Sequence, residues 1–197
     1  MNLTSTASRA STASRAVSGD AAADDQLAVD ARDNPESFGP LYTRHVEAVY
    51  RYLRARGASD DEASELVAVA FERALRNIHR YRLRGGGFRA WVLRIARNAF
   101  IDSRRRDRPT LTLEHGSELA SADQSPEDAA ILAEDRRRVL ALVQRLPPVL
   151  QDALSLRFAA GLSSRQIAAV IGKSEAATKK LLTRALHALK EELHHER

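Results

Sequence analysis

The sequence predicts an all-α protein: two small helical domains joined by a flexible acidic linker, the C-terminal one a helix-turn-helix. Three observations carry that expectation. The chain is rich in Ala, Leu, Arg and Glu, which favour helix. It is 44% hydrophobic but only 5% aromatic over 197 residues, so its cores should be built from Leu, Ile, Val and Ala. No alternating apolar and polar run is long enough to argue a strand.

Charge supplies the domain boundaries. The formal net charge of +5 is unevenly spread. Residues 36–106 sum to +7, residues 107–135 to −7 and residues 136–197 to +7. Two basic blocks around an acidic connector suit two surfaces for a polyanion and a segment that avoids it. Solvated helix faces would give the same pattern.

Several function classes are excluded or left without support. With no Cys there is no disulfide, thiolate zinc site or cysteine nucleophile. No apolar run reaches the length of a membrane span. The first residues lack the apolar core of a signal peptide, so a cytoplasmic protein is expected. The six His residues show no metal-ligand spacing, and no nucleotide loop or hydrolase elbow appears. No enzyme, metal or cofactor is expected.

Residues 1–34 open the chain. STASRA occurs twice in tandem, at Ser5–Ala10 and Ser11–Ala16. Large apolar groups are almost absent, so ordering entropy has little to offset it. A disordered low-complexity tail is expected, although Arg, Ser and Ala content also resembles a transit peptide. Residues 35–106 then read as three helices. In the first, Phe38, Leu41, Tyr42, His45, Val46, Val49, Tyr50 and Leu53 form one apolar stripe, closed by Gly57. The second runs from about Ser59 to Ile78 with Asp60, Asp61 and Glu62 in its first turn, where the helix dipole favours acids. Its buried stripe is Ala63, Leu66, Val67, Ala70, Phe71, Ala74 and Ile78. Three glycines break the chain in Arg80–Gly87. The third helix spans about Phe88–Arg106 and buries Phe88, Trp91, Val92, Ile95 and Ala99.

Residues 107–126 read as an interdomain linker, and residues 127–197 as the second domain. Helix is expected at 127–146, is stopped by Pro147-Pro148, and resumes at 149–160. Ser163 and Gln166 form a capping box for the next helix. Gly172 permits a sharp turn, and Ser174 caps a basic helix. Short helix, turn and capped basic helix make a helix-turn-helix. Ala176 and Ala177 are small enough to enter a major groove, and Lys179, Lys180 and Arg184 suit phosphates or guanine edges. Thr178 stands where an aliphatic would pack, so its hydroxyl is expected to bond a carbonyl one turn back.

At Phe88–Arg106, FRAWVLRIARNAFIDSRRR resembles the promoter-melting segment of extracytoplasmic-function (ECF) sigma factors. Leu146-Pro147-Pro148, LSLRFAAGLSSRQIAAVIG and TKKLLTRALHAL resemble that family's C-terminal domain. The likeness covers about residues 36–106 and 127–193. It implies a factor that binds core RNA polymerase, recognises −35 and −10 promoter elements and opens DNA. An anti-sigma factor is a further partner it suggests. A stand-alone helix-turn-helix regulator is the alternative, but it leaves the Phe88–Arg106 segment unexplained.

The resemblance also implies roles for residues. Arg94, Arg97, Asn98 and Arg104, Arg105 and Arg106 would hold phosphates or the non-template strand of the −10 element. The loop carrying Arg80, Arg82 and Arg84 would hold a flipped-out base over Phe88 and Trp91, with Trp91 itself chiefly core. Asp102 would orient arginines. Arg165, Ser174, Glu175, Ala177, Lys179, Lys180 and Arg184 would read the −35 element. The second helix would bind polymerase through Glu62, Glu65, Leu66, Val67, Ala68, Val69 and Glu72. There the family pattern resembles Asp-Leu-Val-Gln-Glu, whereas this chain has Ala68 for the amide and Val69 for the second acid. Three readings stay open: apolar contact suffices, core binding is weak, or phosphorylated Ser64 restores negative charge. The acidic linker would thread toward the polymerase cleft.

Overall fold

A computed structural model describes residues 21–83, 86–106 and 126–195. The expected tail over residues 1–20, Arg84 and the linker 107–125 lie outside the described residues. Every described element is helical.

The first element corrects the expectation of a disordered tail to residue 34. Residues 21–30 are helical (α1). The helix seats itself without large apolar groups. Ala28 and Ala31 are buried in the core, and Asp24 is buried against Arg44 at 2.7 Å and His45 at 2.9 Å. Small side chains let the helix approach closely, and the polar contacts of the buried Asp24 with Arg44 and His45 stand where aliphatics are missing.

Asn34 then accepts from the Glu36 amide and starts a short 3₁₀ turn, Pro35–Ser37, which leads into α2, Phe38–Ala55. Most of the anticipated stripe is buried, but Tyr42 is exposed and Tyr52 takes a fully buried place. Helix α3, Asp60–Arg76, is capped by the Ser59 hydroxyl, which accepts from the Glu62 amide at 3.2 Å. Its buried residues are those its periodicity predicts. Helix α4, Gly87–Arg106, buries Phe88, Val92 and Ala99 as expected, with Trp91 and Ile95 only partly buried. It also buries Ala90, Leu93, Ala96 and Phe100. One helix face cannot hold all of these, so α4 is packed on two sides.

The second side is met by the C-terminal unit. Helix α5 is Pro126–Arg145 and α6 is Pro148–Leu154, which passes into one π-helical turn, Ser155–Ala159. Helices α7, Ser164–Ile171, and α8, Glu175–His195, complete the fold. Val143, Leu146, Leu150, Ala153, Leu154, Leu181 and Ala185 form a small core of this unit alone. Leu156, Ala160, Leu162, Ile167 and Val170 instead join the main core with Phe88, Leu93 and Ala96. The two units are therefore closed on each other, with α7 lying against α4.

Candidate nucleic-acid interface

The closed contact centres on one acid. Asp152 of α6 is 2% exposed. Its Oδ1 lies 2.7 Å from Arg56 Nε, and its Oδ2 accepts from Arg97 Nε at 2.7 Å. The Tyr52 hydroxyl donates to Oδ1 at 3.0 Å. Burial, reinforced by the negative charge of Asp152, pushes the Tyr52 hydroxyl far up, so it stays a donor. A buried carboxylate is tolerable because two guanidiniums and a hydroxyl saturate it. Around it, Arg89 Nη2 donates to Ala160 O at 2.6 Å and Gln166 Nε2 donates to Gly86 O at 3.3 Å.

This geometry sorts the arginines of α4. Arg94, Asn98, Arg105 and Arg106 are exposed and free to meet a polyanion. Arg97, expected on the same open face, is half-buried and committed to Asp152; that expectation is corrected for the closed form. Arg104 is exposed but held by Glu62 at 3.0 Å and by Gly57 O at 2.7 Å, with its guanidinium over the Phe100 ring. Asp102 pairs with Arg73 of α3 at 3.7 Å rather than with the arginines of its own helix.

Phe88 is buried, as its place in the stripe of α4 predicts. At 1% exposure it sits among Phe38, His45, Tyr81 and Trp91 and offers no face to a base. It supports the loop from beneath. Trp91 is partly buried and packs edge-on to Tyr81 at 5.3 Å. Arg80, Arg82 and Leu83 are exposed, and Arg82 Nη1 donates to His79 O at 2.9 Å.

On α3, Glu65, Ala68 and Glu72 are exposed and Val69 is partly buried. Leu66 and Val67, expected to face a partner, are only 5% and 6% exposed because α3 turns them into its own core. Glu62 is engaged by Arg104 and Ser103. Ser64 is exposed.

The helix-turn-helix is built as its caps predict. Ser163 and Gln166 form a full capping box, and Gly172 turns the chain at φ +70°. The Ser174 hydroxyl accepts from the Ala177 amide at 3.2 Å. Thr178 is fully buried, and its hydroxyl donates to Ser174 O at 3.0 Å. Arg165, Ser174, Glu175, Ala177, Lys179, Lys180 and Arg184 are all exposed. Lys179 pairs with Glu175 at 2.8 Å, and this ammonium holds the Glu175 carboxyl below its usual range.

Sequence reasoning placed His45 in the apolar stripe of α2 but not its charged neighbours. His45 is buried beside Asp24, Arg44 and Arg89, and burial pulls its pKa below the ordinary value although Asp24 acts the other way. Asp152 was passed over, yet it is the single acid between Asp135 and Glu175 in a basic, apolar stretch. Among the described residues no cluster of potential metal ligands occurs. No described helix is long and apolar enough to cross a membrane.

Comparison with known proteins follows the same division. Residues 41–110 match Sigma-70 region 2, and residues 136–189 match Sigma-70, region 4. The ECF RNA polymerase sigma factor BldN of Streptomyces coelicolor is 36% identical over 156 residues, 78% of this chain and 59% of BldN. The ECF RNA polymerase sigma factor SigD of Mycobacterium tuberculosis is 35% identical over 183 residues, 90% of this chain and 82% of SigD. Among solved structures, CnrH in complex with the cytosolic domain of CnrY is 25% identical with a TM-score of 0.69, covering 89% of this chain and 99% of that one. Sigma factor RpoE from Bartonella quintana, in complex with the anti-sigma factor NepR, shares the fold at 21% identity. Its TM-score is 0.66, with 82% of this chain and 99% of that one covered.

Proposed function

The chain belongs to the ECF RNA polymerase sigma factors of the sigma-70 family, and from that membership we propose that it binds core RNA polymerase, brings it to a promoter and opens the DNA. The observation that carries this reading is the ordered pair of surfaces. An arginine-rich helix with Arg94, Asn98, Arg105 and Arg106 exposed lies in the region 2 match, and a fully capped helix-turn-helix lies in the region 4 match.

In this reading α4 and the loop before it read and melt the −10 element. Exposed arginines hold the backbone, and the loop accepts an extruded base. Helix α8 engages the −35 element through Lys179, Lys180 and Arg184, with Lys180 on the phosphate backbone. The exposed part of α3, Glu65, Ala68 and Glu72 with Val69 at its edge, meets polymerase. The factor works in the cytoplasm and performs no chemistry of its own. An anti-sigma factor is a fitting regulator, since CnrH and RpoE are each seen with a partner of that kind or a cytosolic domain.

The closed form adds a requirement. Arg97 reaches DNA only after Asp152 leaves it, so binding polymerase has to separate the two units. Run-off transcription tests the whole reading. With core polymerase and genomic fragments, the protein should give discrete transcripts that vanish without it. No core-dependent initiation on any fragment overturns the reading.

A further inference from the structure

One turn of chain is gripped from both units. Arg56 closes α2, and Gly57 follows it at φ +89°. From the C-terminal unit, Asp152 Oδ1 lies 2.7 Å from Arg56 Nε. The Arg56 guanidinium also donates to the side-chain oxygen of Gln151. The amide nitrogen of Gln151 is itself fixed, donating to Gln144 O at 2.8 Å and to Leu146 O at 2.7 Å. Gln144 presses on the turn directly: a Cβ at Gly57 would stand 2.7 Å from its Nε2.

From the N-terminal unit the same turn is held by Arg104 of α4. Its Nη2 donates to Gly57 O at 2.7 Å and to Glu62 Oε2 at 3.0 Å. Its guanidinium lies 5.0 Å from the centre of the Phe100 ring, and that of Arg56 lies 5.2 Å from the same centre. Arg104 thus supports Arg56 twice, through the next carbonyl in the chain and through a shared ring. Glu62 lies one turn before Glu65 on α3, and its side chain is 21% exposed, so a partner on that face can reach it.

We propose that Glu62 and Arg104 are positioning residues that couple the polymerase-facing helix α3 to the closure of the two units. The proposal rests on the reading of α3 as the helix that meets polymerase. A cationic group of the partner that takes Glu62 withdraws the counter-charge of Arg104. The Arg56–Gly57 turn then loses its support from below, and the grip of Asp152 on Arg56 weakens. The two-state element is the closed contact itself, which both ends of the relay bias. The coupling is reciprocal: whatever polymerase binding does to closure, closure does to polymerase affinity by the same factor. Its size is modest, about threefold, because the links are one partly exposed ion pair and contacts of guanidinium with a ring.

Thiol labelling of the full chain tests the relay, because the protein has no Cys of its own. Ala160 is fully buried in the core that the two units share, so in Ala160→Cys the labelling rate follows the open fraction. Glu62→Gln keeps the shape and withdraws the charge, as a partner would, and should raise that rate about threefold. Arg104→Met should raise it at least as much, and Glu62→Gln should then add nothing. A merely structural role would raise labelling equally in Ala70→Cys, a fully buried position on α3 itself; that equality overturns the proposal. An unchanged rate at position 160 in Glu62→Gln overturns it too, even where Arg104→Met fails to fold, and leaves α3 as the polymerase-facing helix if the parent chain binds core. A parent chain that does not bind core polymerase overturns the reading of α3 and the relay with it.

Discussion

Replacing Asp152 by Ala should open the molecule rather than unfold it. The side chain is 2% exposed and faces Arg56, Arg97 and the Tyr52 hydroxyl. Removing one partner of a buried ion pair costs about 3–5 kcal/mol, because the remaining charge is left without water or counter-charge. Here the cost falls on the closed form alone. If the C-terminal unit swings away, Arg56 and Arg97 regain water and the strain disappears. The closed-to-open equilibrium should therefore shift by roughly a hundred- to several-thousand-fold, at one factor of ten per 1.4 kcal/mol. The chain has no Cys, so dyes can be placed at will. Ser64→Cys on α3 and Lys190→Cys on α8 label exposed positions on the two units. Energy transfer between them should fall in Asp152→Ala and fall less in Asp152→Asn, which keeps an acceptor but loses the charge. Equal transfer in Asp152→Ala and the parent, with both folded, refutes the reasoning that this acid latches the units.

Two further outcomes follow from the electrostatics. Burial lowers the His45 pKa, so the unfolded chain takes up a proton before the folded one does, and stability should fall as pH drops below the ordinary histidine value of about 6.5. Denaturant titrations across that range should show the fall, and His45→Gln should flatten it; a slope unchanged by His45→Gln sinks the assignment. Lys180→Ala should weaken holoenzyme binding to duplex promoter without altering its sequence preference, and should reduce the slope of log affinity against log salt by about 0.9; an unchanged slope means Lys180 touches no phosphate.

Local pattern made much of this molecule legible. The stripe of α3, the Ser163–Gln166 capping box, the Gly172 turn and the Thr178 back-bond are all written within one or two turns of chain. Helix α1 was hidden because its burial uses Ala28, Ala31 and Asp24, residues that a hydrophobic count treats as tail. The closure of the units was hidden because Asp152 meets Tyr52 across 100 positions of sequence, and no periodicity reports such a partner. Helix α4 did carry a hint: Leu93, Ala96 and Phe100 fall outside its predicted stripe, and a helix apolar on two faces has a neighbour on each. Of the candidate site, the exposed cations of α8 were readable, since a capped amphipathic helix fixes which face is wet. The commitment of Arg97 was not, because its charge alone suits DNA and carboxylate equally.

The most direct test of the account is the affinity for one promoter duplex with and without core polymerase. A closed sigma factor, with Arg97 latched and α7 against α4, should bind that duplex weakly and with little preference over unrelated DNA when alone, and tightly and selectively once bound to core. Tight, promoter-selective binding by the free protein, unimproved by core, would contradict the account and point to a self-sufficient helix-turn-helix regulator.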